Sequence, residues 1–369
     1  MISRRAFVAA SAATLASCRR KATGFPGYAF VANRGGRSVA AVDLTRFAVA
    51  RQIRLDAPPE AMVADAVRRS VYVLAPTGGF LYEIDVANLM VKRKLAVGGT
   101  TPSMQLSPAG DSMYVLTRTP NALVQVGLEK FGVVARVKLP AAPQNFDLSR
   151  DGTLAAVSFP EAGSIAVLDL AKSAVEHVAP GGEDPRLVRF RFDGQQILVA
   201  NRSKRMLTIV DARTAGVLVH LPLPVEPEHF CMKADGGELF ITGKGMDAVV
   251  VVHPYQTEVA ETKLAGRAPG AMAISQSPEL LFATNPESGD VTVLDMFTRD
   301  VMAAVNVGQE PCYVTFTPDN QYALVVNHRS GDLAVIRIAA IKQSRSKIAP
   351  LFTMIPVGSE PVSAAVAGI

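Results

Sequence analysis

A repeat of 42 residues constrains this chain more than any other feature. The stretch from Pro269 to Gly308 displays it, with four short apolar runs separated by turn-forming clusters. Each run has the length of one strand. Counting back from Asp295 in intervals of 42 gives His253, Asp211, Asp169, Gly127, Asp85 and Asp43, and one interval forward gives Arg337. Five of these eight are Asp, and each closes an apolar run such as VAAVD at 39–43 or LTIVD at 207–211. The preceding run keeps the same register, as in FVAN at 30–33, LVAN at 198–201, FATN at 282–285 and LVVN at 324–327. Pro59, Pro143, Pro185, Pro227, Pro269 and Pro311 share the lattice, and Pro102 lies one residue off it. A lone four-stranded sheet leaves two apolar faces bare, so each unit needs neighbours of its own kind. The period and the four runs per unit predict an all-β chain of four-stranded antiparallel propeller blades. The register favours eight blades, with seven as the alternative. The recurring Asp residues read as turn residues whose carboxylates bond nearby backbone, not as a catalytic dyad.

The first unit starts at its second strand, Tyr28–Asn33, and lacks an inner strand. The last segment, Pro361 to Ala367, supplies the missing pattern. We expect it to complete the N-terminal blade and close the ring, which removes an open sheet edge. The last unit is eight residues longer than the period requires, and the excess falls in the basic stretch 339–349. That stretch reads as a surface loop or short helix, with contact to a partner or lipid as the alternative.

The repeat pieces include Ser107-Pro108-Ala109-Gly110, Ser149-Arg150-Asp151-Gly152, Thr317-Pro318-Asp319-Asn320 and Val199-Ala200-Asn201. They resemble the YVTN β-propeller repeat family of YncE-like proteins over nearly everything after residue 27. The resemblance implies the fold, because these motifs build blades rather than sites. A weaker resemblance runs to cytochrome d1-type propellers.

The chain has 38 basic and 33 acidic residues, but five basic ones, Arg4, Arg5, Arg19, Arg20 and Lys21, lie in the first 21 positions with no acid. Without them the counts are 33 and 33. The body is therefore neutral, and it has no Trp for base stacking, so nucleic acid is a disfavoured partner. The excess positive charge belongs to the leader and tether.

Residues 1–18 read as an export signal. Ser3-Arg4-Arg5-Ala6-Phe7 resembles a twin-arginine motif, and the apolar stretch from Val8 to Ser17 is too short to span a bilayer. Leu15-Ala16-Ser17-Cys18 resembles a lipobox, which implies lipidation of Cys18 and a membrane-anchored lipoprotein of the periplasm or cell surface. Residues 19–27 form a tether, and residues 28–369 a single propeller domain, expected to be a monomer. The other cysteines, Cys231 and Cys312, fall in inner strands and read as small buried hydrophobes.

In such a ring, the loops entering each first strand and those joining strands two and three share one rim. These loops hold Arg34, Arg186, Arg202, His229, Glu310, His328 and Arg329. Arginine forks pair with carboxylate or phosphate, so the rim is the candidate pocket for a small anionic ligand. A protein partner is the other candidate. No G-x-S-x-G, H-E-x-x-H, C-x-x-C-H or phosphate-binding glycine loop occurs. The leading expectation is a non-enzymatic binding scaffold without a cofactor. A lactonase-type hydrolase and a haem d1-associated propeller are the alternatives, the latter drawing its axial ligand from His229 or His328.

Overall fold

Apolar residues fill the two middle runs of each unit with few polar breaks, a pattern suited to strands covered on both faces. In the computed structural model, which describes residues 24–341 and 349–369, those runs are the central strands of eight four-stranded antiparallel sheets. The eight-bladed, all-β expectation is met. Ser70–Ala75, Leu280–Asn285 and Tyr322–Asn327 are buried at every position. Outermost strands such as Val217–Pro222 face solvent. The first strand of each of seven blades lies at 61–65, 104–106, 145–148, 185–190, 226–232, 272–274 and 311–316.

Blade 1 is built from both ends of the chain. Gly27–Asn33, Ser38–Asp43 and Ala48–Arg54 are joined by Pro361–Gly368 as the innermost strand. Phe30 lies opposite Ala365, and Tyr28 opposite Ala367. This last strand also touches Pro311–Phe316 of blade 8 and Ala61–Asp65 of blade 2. Ala364 packs into the apolar cluster shared with blade 8, and Ala365 into the one shared with blade 2. The ring thus closes by hydrogen bonds and by burial on both sides. The first described strand begins at Gly27, one residue inside the stretch expected to be tether.

Two of the lattice Asn residues link neighbouring blades. Asn33 Nδ2 donates to the Val357 carbonyl at 2.9 Å, and Asn327 Nδ2 to that of Val307 at 2.8 Å. Gly358 and Gly308 follow those carbonyls with φ of +140° and +144°. A Cβ there would sit 2.8 or 2.6 Å from the Asn amide nitrogen, so only glycine lets the amide approach.

The lattice Asp residues organise the turns between third and fourth strands. Asp211 Oδ1 accepts the Arg213 and Thr214 N–H groups at 3.0 and 2.8 Å. The Thr214 N–H and then its hydroxyl hold the Asp211 carboxyl below its usual range. Phe47, Leu89, Phe131, Ser173, Ala215, Thr257 and Arg299 end seven of these turns in the left-handed region, with φ between 50° and 59°. Non-glycine residues there cost about 1–2 kcal/mol each; in the five turns that follow a lattice Asp, the carboxylate bonds offset this. In all eight blades the ladder between third and fourth strands then shifts by one residue. Such bulges add twist.

In the long last unit the third strand is followed by a short helix, Ile338–Ile341. The rest of that insert through 348, the predicted export signal, Cys18 and residues 19–23 of the tether lie outside the described residues. Among the described residues, no helix is long and apolar enough to cross a membrane. Deleting residues 361–369 removes an inner strand from two apolar clusters at once. The thermal midpoint should fall by roughly 10 °C or more, measured by circular dichroism, and an unchanged curve would rule out closure by the tail.

Candidate functional site at the channel mouth

Strand direction alternates within a blade, so second-to-third loops and loops entering the first strand share one rim. On this rim a cavity of about 340 Å³ opens between the first strands of four consecutive blades. Its lining includes Ser103, Asn145, Arg186, Leu187 and His229, with Arg202 from a second-to-third loop. Arg186, Arg202 and His229 therefore come together in one cavity.

Their arrangement rests on Asp184, which the sequence reading did not select. Its carboxylate accepts Arg186 Nε at 2.8 Å through one oxygen and Arg202 Nε at 3.1 Å through the other. One acid thus holds two guanidinium groups by their inner edges. The terminal nitrogens of Arg186 have no partner among the described residues. Arg202 Nη1 lies 3.6 Å from Glu228, which also faces Lys244 Nζ at 3.7 Å. These long contacts are ones a ligand oxyanion could replace. The only signal for Asp184 in sequence is its place two residues before Arg186 on a first-strand loop.

First strands of blades 4 and 5 are laced beneath the cavity. Asn145 Oδ1 accepts the Val188 N–H at 3.1 Å, and Asp147 Oδ2 accepts that of Phe190 at 2.8 Å. Asp147 Oδ1 also accepts Arg189 Nη1 at 2.8 Å. Asn145 was not foreseen either, although it stands two repeats before His229 on the lattice.

His229 lies opposite Thr242, whose hydroxyl donates to the Gly270 carbonyl at 2.6 Å. The residue is exposed at the channel, yet surrounding protein desolvates the ring. Burial therefore lowers its pKa from 6.5, against an opposing pull from Glu228. A neutral imidazole at neutral pH keeps a lone pair for a ligand.

The other four candidates form a separate group. Glu310, His328 and Arg329 line a cavity of about 440 Å³ with Ser359 and Glu360, and the Arg34 N–H donates to the Glu360 carbonyl at 2.9 Å. His328 Nδ1–H donates to the Pro361 carbonyl at 3.1 Å, which leaves Nε2 as the acceptor. The side chains of Arg34 and Arg329 form no ion pair among the described residues. Glu310 and Arg329 also border a wider cleft of about 880 Å³ between blades 7 and 8. That cleft holds no histidine, so its size is a weaker guide than the chemistry gathered around His229. His229 and His328 line two different cavities.

Both described thiols are free. Burial pushes Cys231 up to about 12 and Cys312 up to about 11, so both stay protonated and unreactive. Among the described residues no cluster of three or more His, Cys, Asp or Glu side chains could hold a bare metal ion.

These features define an eight-bladed β-propeller with a polar channel mouth. Solved structures resemble its fold at low identity. Dihydro-heme d1 dehydrogenase NirN in complex with DHE is 15% identical, with a TM-score of 0.75 over 92% of this chain and 75% of that one. Kuenenia stuttgartiensis hydrazine synthase is 16% identical, with a TM-score of 0.61 over 79% of this chain and 98% of that one. A functionally unknown protein from Desulfotomaculum acetoxidans is 12% identical, with a TM-score of 0.59 over 93% and 99%. No family model and no curated protein matches the chain.

The lowered pKa makes a prediction. The unfolded chain takes up this proton near 6.5 and the folded chain only at lower pH, so acidification between those values favours unfolding. The His229 ring resonance, followed by NMR, should titrate below 6.5. A midpoint at or above it would place the ring in open solvent.

Proposed function

We propose that this chain is an exported, lipid-anchored binding propeller of the YVTN type whose channel mouth takes a small anionic ligand without transforming it. The observation that carries the reading is the shared grip of Asp184 on Arg186 and Arg202, which orients two guanidinium groups beside a neutral imidazole. Preoriented forks bind carboxylate or phosphate at lower entropic cost than free side chains. Eight blades count against the lactonase-type reading, whose relatives have seven. Titration calorimetry with citrate and inorganic phosphate tests the proposal. Arg186→Ala and Arg202→Ala should each weaken binding about tenfold, near 1.4 kcal/mol, with little change in unfolding midpoint. A midpoint lowered by several degrees with unchanged affinity would make these arginines structural.

A haem-type macrocycle is the second reading, favoured by the likeness to the NirN propeller. The residues would suit such a group: His229 would offer a ring nitrogen to its metal, and the terminal nitrogens of Arg186 would pair with its peripheral carboxylates. The bound macrocycle would supply its own redox or ligand-carrying chemistry, and the chain would orient and shield it. Purified protein mixed with haem should develop a shifted Soret band that His229→Ala abolishes. A band insensitive to that substitution would exclude His229 as the ligand.

A further inference from the structure

The end of the ring opposite the mouth has its own pattern. Turns joining first to second strands and third to fourth strands share this face. Most of their tips are polar or small, but two present large apolar side chains almost fully to solvent. Phe297 is 95% exposed and Val67 91%. Neither is loosely held. Asp295 Oδ1 accepts the Phe297 and Thr298 N–H groups at 2.8 and 3.1 Å. Asp65 Oδ1 accepts those of Val67 and Arg68, both at 3.0 Å. Both turns are thus braced with the apolar residue pointing away from the core.

The chain emerges between them. Phe297 belongs to blade 7 and Val67 to blade 2, and blade 1 lies between them beside blade 8. A Cβ on Gly24 would meet the Leu44 carbonyl and the Thr45 Cα, which places the first described residue at the blade 1 turn on this face. Five residues lie between Cys18 and Gly24, and the six steps from one to the other span at most about 22 Å. The seven-residue strand Gly27–Asn33 alone rises about 20 Å towards the mouth. A lipid on Cys18 therefore favours this face, where the chain leaves the fold beside Leu44 and Thr45, over the mouth a full strand length away. Arg46 and Arg69, exposed on the same arc, suit anionic headgroups.

We propose that this face is a membrane-docking surface, with Phe297 and Val67 entering the interface of an anionic bilayer and the mouth held away from it. The inference rests on the lipid-anchored reading above and adds an orientation to it. Aromatic and aliphatic anchors with neighbouring cations are the chemistry of interfacial binding. Because the chain has no Trp, a single introduced Trp reports its own depth.

The test attaches the mature chain through Cys18, by its native lipid or by coupling the thiol to a maleimide lipid. The vesicles contain phosphatidylethanolamine and phosphatidylglycerol with brominated acyl chains. Phe297→Trp should show blue-shifted emission and strong quenching. Met246→Trp, on a mouth-side loop, should show neither. Adding Val67→Ser to the Phe297→Trp chain should weaken the quenching. Equal quenching at 297 and 246, or none at either, would overturn the docking surface. Mass spectrometry of Cys18 from membranes reads the anchor separately: an unlipidated cysteine ends the native-tether reading, while the coupled chain still decides the docking.

Discussion

Two-sided burial is the constraint on which everything else depends. Each blade's central strands are apolar on both faces, so no blade is stable alone and none can sit at an open end of a stack. A ring removes the ends. Eight apolar clusters lie among the blades, and the strand Pro361–Gly368 joins the two that flank blade 1. Folding is thereby made dependent on the contact most distant in sequence, between residues near 30 and 365. Such closure carries a large loop entropy, which the burial of Phe30, Ala364 and Ala365 offsets.

Regular geometry lets the ring close without strain accumulating at one join. The Asx-type turns, the left-handed residue that ends them and the one-residue ladder shift recur from blade to blade. Asn33 and Asn327 reach from their own blades to the final carbonyls of the blades before them. The blades are therefore held by directional bonds as well as by apolar contact, and directional bonds set the angle between neighbours.

Once the ring is closed, its two ends differ in kind. One carries loops with Arg, Asp, Glu and His, where Asp184 organises two arginines around the channel. The other carries tight carboxylate-braced turns and receives the N-terminal segment. The alternation of strand direction alone separates these ends, so the mouth and the face beside Gly24 share no surface.

The 42-residue lattice was enough to read the blade boundaries, the tail strand and the turn role of Asp43, Asp85, Asp169, Asp211 and Asp295, because strand and turn chemistry is local. The rim could be named from sequence for the same reason: loop type follows strand order. Which rim residues meet could not. Arg202 and His229 share a cavity while His328 stands apart, since their separation is set by blade angles that no local pattern encodes. Asp184 was invisible as an organiser because its partners come from two loops. Nor did any glycine announce the left-handed positions at Phe47, Leu89 or Phe131, where neighbouring bonds impose a conformation those residues do not favour. Local preference wrote the repeat, and closure of the ring decided the site.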